Sequence, residues 1–116
     1  MKRLRASLRA GLESLRAHLA PSLRIQKTPY ASVIDVPEHL PRRSAALVRK
    51  GNHDQWLVFD CPCRSGHRVM LALDRRVRPH WTVSAAKPLT LRPSVDEVSK
   101  SGRCHYLIRR GKVIWV

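Results

Sequence analysis

From about residue 30 onward the chain is cut into apolar runs too short to be core helices, each closed by proline, glycine or polar residues. Segments 32–36, 45–49, 55–60, 67–73, 80–83 and 89–91 are of this kind. Short runs rich in Val, Leu, Ile and aromatics, bounded by turn formers, read as strands. Pro37, Pro41, Pro79, Pro88 and Pro93 fall in the gaps, where a missing N–H interrupts no ladder. Residues 51–54 read as a turn, and 106–109 and 112–116 as a hairpin closed through Arg110 and Gly111. Six to eight such strands predict a mainly β domain over 28–116, a small antiparallel sandwich or open barrel. Trp56, Trp81 and Trp115 are expected in its core.

Residues 1–27 follow a different period. Leu4, Leu8, Leu12, Leu15 and Leu19 lie on one helical face, with Lys2, Arg3, Arg5, Arg9 and Arg16 elsewhere. The segment reads as a basic amphipathic helix and linker, ending at Ala20-Pro21-Ser22. Such a helix can pack on its own domain or a second copy, dock on a partner protein, or lie on a membrane surface. The narrow leucine stripe, without Trp or Phe, argues against the membrane. No run of eighteen apolar residues suggests a spanning helix, and no apolar stretch resembles a secretory signal, so a cytoplasmic protein is expected.

Three cysteines cannot form a complete disulfide framework, which points to a metal site or a reactive thiol in a reducing compartment. A formal net charge of +15 calls for an anionic partner. With Trp 3, Tyr 2 and Phe 1 the chain has too few aromatics for a base-stacking platform. An acidic protein is therefore favoured, with nucleic acid the alternative.

The chemistry concentrates in "FDCPCRSGHRVML", residues 59–71, and in Cys104-His105 some forty residues later. Pro62 and Gly66 imply a turn that brings the Cys61 and Cys63 sulfurs to one centre. If the start of the next strand and the strand bearing Cys104 are neighbours, Cys61, Cys63, His67 and Cys104 converge. Sulfur-rich ligation with one histidine favours zinc. Unmetallated thiols and unrelated buried cysteines are the other readings. His105 is the spare donor, on one strand face with Leu107 and Arg109, while Tyr106 and Ile108 point the other way. That leaves it free to act as an acid/base. Ser65, two residues from His67, is a candidate nucleophile activated by His67 or His105, and otherwise a turn residue. A Cys104 thiolate paired with its neighbour His105 is disfavoured, because adjacent strand residues point apart. Asp96 and Glu97, in the expected loop before Cys104, are candidates to orient a ligand histidine. Arg75, Arg76 and Arg78 read as a solvated loop, and His53 and Asp54 as turn chemistry.

"CPCRSGHRVMLALD", "RPHW", "LTLRPSVDE" and "RCHYLIRRGKVIWV" together resemble a small family of Cys/His-containing domains of formerly unknown function. These domains are encoded in bacteria beside genes for ubiquitin-like proteins and their activating and conjugating enzymes. The resemblance runs from about residue 55 to the end and implies a metal site drawn from Cys61, Cys63, Cys104 and His105. In the family pattern a third cysteine stands at Ser65, and Cys-X-Ser-His stands at residues 102–105. Either His67 and Cys104 replace the missing ligands here, or the metal is lost. The implied function is a peptidase that processes or deconjugates a ubiquitin-like protein. His105 would be its acid/base, and Ser65 or metal-bound water its nucleophile. The rival readings are a non-catalytic zinc-stabilised module recruiting an acidic partner, and a nucleic-acid binder.

Overall fold

The computed structural model describes residues 22–100 and 102–116. The expected helix at the start of the chain lies outside the described residues. Eight strands follow in chain order: β1 (Arg24–Ile25), β2 (Ser44–Lys50), β3 (His53–Asp60), β4 (Arg68–Ala72), β5 (Thr82–Ala86), β6 (Leu89–Ser99), β7 (Gly102–Arg109) and β8 (Lys112–Trp115). They form two four-stranded sheets, in the orders β1-β2-β3-β4 and β5-β6-β7-β8. All pairings are antiparallel except β1 on β2. The mainly β reading of the sequence is the observed fold.

The burial of each sheet explains its sequence pattern. Leu57, Phe59, Val69 and Leu71 of the first sheet share one core with Leu89, Leu91, Val95, Tyr106 and Ile108 of the second. On the far face of the first sheet, Ala46, Val48 and Val58 are covered by Tyr30, Val33, Val36, Leu40 and Trp56. With both faces covered, β3 buries the consecutive residues Leu57, Val58 and Phe59 and shows no alternation there. The second sheet has one face in the core, so β7 alternates: Cys104, Tyr106 and Ile108 are buried, His105 and Leu107 only half-buried.

Three local expectations are corrected. Segment 32–36 is not a strand: Val33–Asp35 is one turn of 3-10 helix, capped by the Ser32 hydroxyl, which accepts from the Ile34 N–H at 3.3 Å. Asp96 and Glu97 do not lie in a loop, and Pro93 is not in a gap. All three are inside β6, whose ladder skips from Leu91↔Ile108 to Val95↔Tyr106. Four steps on β6 thus match two on β7, a bulge that accommodates a proline without a ladder N–H. Finally, the tryptophans do not make the centre of the core. Tyr106 and Phe59 are its largest fully buried side chains, Trp56 and Trp81 pack at its margins, and Trp115 is 53% exposed at the end of β8.

Candidate functional site: a thiol–imidazole cluster and a Ser–His pair

The β3–β4 connection holds four of the candidate residues singled out in the sequence: Cys61, Cys63, Ser65 and His67. The Cys61 N–H donates to the His67 carbonyl at 2.8 Å, and the Gly66 N–H to the Cys63 carbonyl at 3.1 Å. Gly66 has φ +58, a conformation that glycine adopts without a Cβ penalty. This tight reversal turns both sulfurs inward, as the Pro62 and Gly66 signals imply. Cys104 arrives from the inner face of β7. The sulfurs of Cys61, Cys63 and Cys104 and a ring nitrogen of His67 all lie within 4.8 Å of one another.

The surroundings of this cluster suit a cation. Cys61 and Cys104 are buried. Burial pushes the Cys104 thiol up to about 12, and the adjacent sulfurs of Cys63 and Cys61 add to the rise. Cys63 goes the other way, to about 6: the Ser65 hydroxyl stabilises its thiolate against the opposing cost of burial, helped by the Gly66 N–H. Crowded sulfurs thus resist ionising together in the absence of a counter-charge. A soft divalent ion supplies that charge, and three cysteines with one histidine complete a tetrahedral set. The donor set therefore fits a metal ion.

His67 is oriented as metal-ligating histidines are. Its Nδ1 faces the Cys63 sulfur at 3.4 Å, and its Nε2 pairs with Glu97 Oε2 at 2.9 Å. Burial opposes protonation of His67, but the bonds to Glu97 and Cys63 outweigh it and raise its pKa. Glu97 sits opposite Cys104 in the β6–β7 register, so β6 points this carboxylate to the same side as the sulfur. Beneath the cluster, Tyr106 Oη lies 3.5 Å from the Cys61 sulfur.

Ser65 belongs to this cluster. Its Oγ is 3.0 Å from the Cys63 sulfur and 3.1 Å from His67 Nδ1. His105 does not. It occupies the opposite face of β7 from Cys104, with Asp96 as its cross-strand neighbour. There its Nε2 is 3.0 Å from Ser94 Oγ.

Ser94 was not singled out in the sequence. It lies in the irregular stretch of β6 between Leu91 and Val95, two residues before Asp96, and so on the face that carries His105. The Trp81 indole N–H donates to the Ser94 carbonyl at 3.2 Å and tethers the bulge from the start of β5. Asp96 does not bond the imidazole; Arg103 grips both its oxygens at 2.7 Å and, with His105 adding a smaller effect, holds its carboxyl below the usual range. The only sequence signal for Ser94 was a proline and a serine inside an otherwise strand-like stretch.

Among the described residues no helix is long and apolar enough to cross a membrane. No curated protein and no solved structure matches the chain. A family model does match, over residues 32–116, which takes in both sheets from β2 to β8 and every residue of the two clusters. The chain belongs to the BubE family, the serine proteases of bacterial ubiquitination-like systems.

Proposed function

We propose that the protein is a peptidase that processes a ubiquitin-like protein or removes it from its targets, with Ser94 as nucleophile and His105 as general base. The observation that carries this reading is the 3.0 Å contact between Ser94 Oγ and His105 Nε2 on the face of the second sheet away from the shared core. In a serine protease the hydroxyl needs a base within hydrogen-bond reach. As Oγ bonds to the carbonyl carbon at the end of the modifier's tail, His105 Nε2 takes the hydroxyl proton. It then returns that proton to the leaving group as the carbonyl–leaving-group bond breaks. Water, deprotonated by the same nitrogen, hydrolyses the acyl-enzyme and frees Ser94.

The thiol–imidazole cluster supports this site from the other side of β7. With four protein donors it is a closed set, the form of a structural zinc rather than a catalytic one. Cys61, Cys63, His67 and Cys104 would hold the ion. A bound zinc would contribute fixed positive charge and folding free energy to a domain with a small core. Cys104 and His105 are consecutive, so anchoring one orders the strand that presents the other.

A second reading rests on a specific geometry: Ser65, His67 and Glu97 are hydrogen-bonded in the order nucleophile, base, acid. Its weakness is that His67 Nδ1 would serve both Ser65 and the metal. Cleavage of a modifier precursor separates the two readings. Ser94→Ala and His105→Ala should each abolish turnover in folded protein, while Ser65→Ala retains it. Loss of turnover in Ser65→Ala alone, with Ser94→Ala active, would overturn the assignment.

A further inference from the structure

A cavity of about 660 Å³ opens between the two sheets, where β1 and β5 are the outermost strands of their respective sheets. Leu47 and Val83 form part of its floor, and Arg24, Lys27 and Lys87 stand on its rim. Arg49 is also there, bonded to Asp54 at 2.8 Å. A second cavity of about 470 Å³ adjoins the first, with Asp54 and Val83 lining both, and ends beside Trp81 and Thr82. The groove thus follows β5 from Lys87 to Trp81, whose indole is one hydrogen bond from the Ser94 backbone.

We infer that this groove is a binding site for an extended acidic peptide, lying along the outer edge of β5. Three features select that ligand. Among the lining residues of the larger cavity four are cationic and one is acidic, and that one, Asp54, is already paired. A partner with carboxylates complements this rim. Among the described residues β5 pairs only with β6, so within them its outer edge has backbone donors and acceptors with no strand partner, the template for β-strand addition. The apolar floor accepts alternate side chains of an added strand. Among the described residues that line the larger cavity there is no aromatic ring on which bases would stack, which favours peptide over nucleic acid. The leading segment of this chain is an unsuitable occupant, because residues 2–16 carry five cationic side chains against Glu13.

The inference deepens the peptidase reading and rests on it for the identity of the peptide, the tail of the modifier that Ser94 would attack. Its test does not depend on turnover. A labelled peptide alternating Glu and Val is titrated by fluorescence anisotropy into full-length Ser94→Ala protein. The same is done with Arg24→Glu/Lys87→Glu and, as a control away from the groove, Arg42→Glu/Arg109→Glu, both on that background. We expect the groove variant to weaken binding at least about tenfold and the control by much less, and a Gln-for-Glu peptide to bind poorly. Circular dichroism checks folding, and Arg24→Gln/Lys87→Gln replaces any reversal that does not fold. Equal losses in groove and control variants, no binding by the parent, or an oligonucleotide of equal charge that binds more tightly through the same residues would each overturn the site. Peptide binding that survives alongside cleavage by Ser94-substituted protein would sink the nucleophile and leave the groove standing.

Discussion

Replacing Gly111 by alanine tests how the hairpin that carries Cys104 and His105 is anchored. Gly111 and Arg110 form the two-residue turn between β7 and β8, with φ +75 and +51, the pattern of a type I′ turn. Gly111 is also buried in a three-way junction. Leu23 N–H donates to its carbonyl at 3.0 Å, its own N–H donates to the Leu89 carbonyl at 2.7 Å, and Leu89 N–H donates to the Leu23 carbonyl at 2.8 Å. A Cβ at this position would overlap the Ser22 Cβ and come within 3.0 Å of the Leu23 oxygen and the Pro88 Cβ. The left-handed backbone costs an L-residue about 1–2 kcal/mol. Overpacking adds about 1–3 kcal/mol, and the less flexible unfolded chain costs the variant roughly 0.4–1 kcal/mol less of that total. The expected loss is therefore about 3 kcal/mol, or roughly 12–24 °C in Tm for a domain of this size. Gly51 is the control: its φ is +60, and nothing lies within 4 Å of an added Cβ. Urea denaturation of both variants isolates the packing contribution. Equal losses at the two positions would refute the claim that Gly111 is chosen for close approach as well as for its backbone.

Further outcomes follow from the same structure. Purified protein should contain one zinc per chain by elemental analysis, lost in Cys61→Ser and in Cys104→Ser, and Glu97→Gln should weaken retention against a chelator about 10–100-fold. Metal kept by either cysteine variant would break up the four-residue centre. Phe59→Ala, at a site 1% exposed, should cost about 3–5 kcal/mol in denaturant unfolding, whereas a loss near zero would place Phe59 outside the core. The Asp74 carboxyl, hydrogen-bonded by the Arg76 guanidinium and backbone N–H, is lowered to about 2. Its contribution to stability is present above the unfolded value near pH 4 and is lost as pH falls through about 2. Carboxyl NMR should show that midpoint, and Arg76→Ala should move it back up. An unchanged midpoint in the variant would contradict the pairing.

What could be read from the sequence was set by how local the determinant is. The Arg110-Gly111 hairpin declares itself because a glycine between two short strand-like runs marks a tight two-residue turn. The reversal that gathers Cys61, Cys63 and His67 is equally local, fixed by Pro62 and Gly66. That Cys104 and His105 face opposite ways follows from strand alternation alone. Ser94 was illegible for the converse reason. Its contact with His105 depends on the register of β6 on β7, which a bulge shifts and which neither strand shows by itself. Pro93, the residue that marks the bulge, reads in isolation as the end of a strand, which also hid Asp96 and Glu97 inside β6. Segment 32–36 is as rich in Val and Ile as a strand, but the Ser32 cap and Pro37 close it into a single helical turn. Trp115 looks like a core residue by type, yet the short edge strand β8 leaves it half in solvent.

The central claim is that Ser94, and not Ser65, is the nucleophile that His105 activates. Labelling the folded, full-length protein with a fluorophosphonate, which reacts with activated serines, and locating the adduct by peptide mass spectrometry tests it most directly. The account predicts a single adduct on Ser94, absent in His105→Ala and unaffected by Ser65→Ala. An adduct on Ser65 that depends on His67, with Ser94 unmodified, would contradict it.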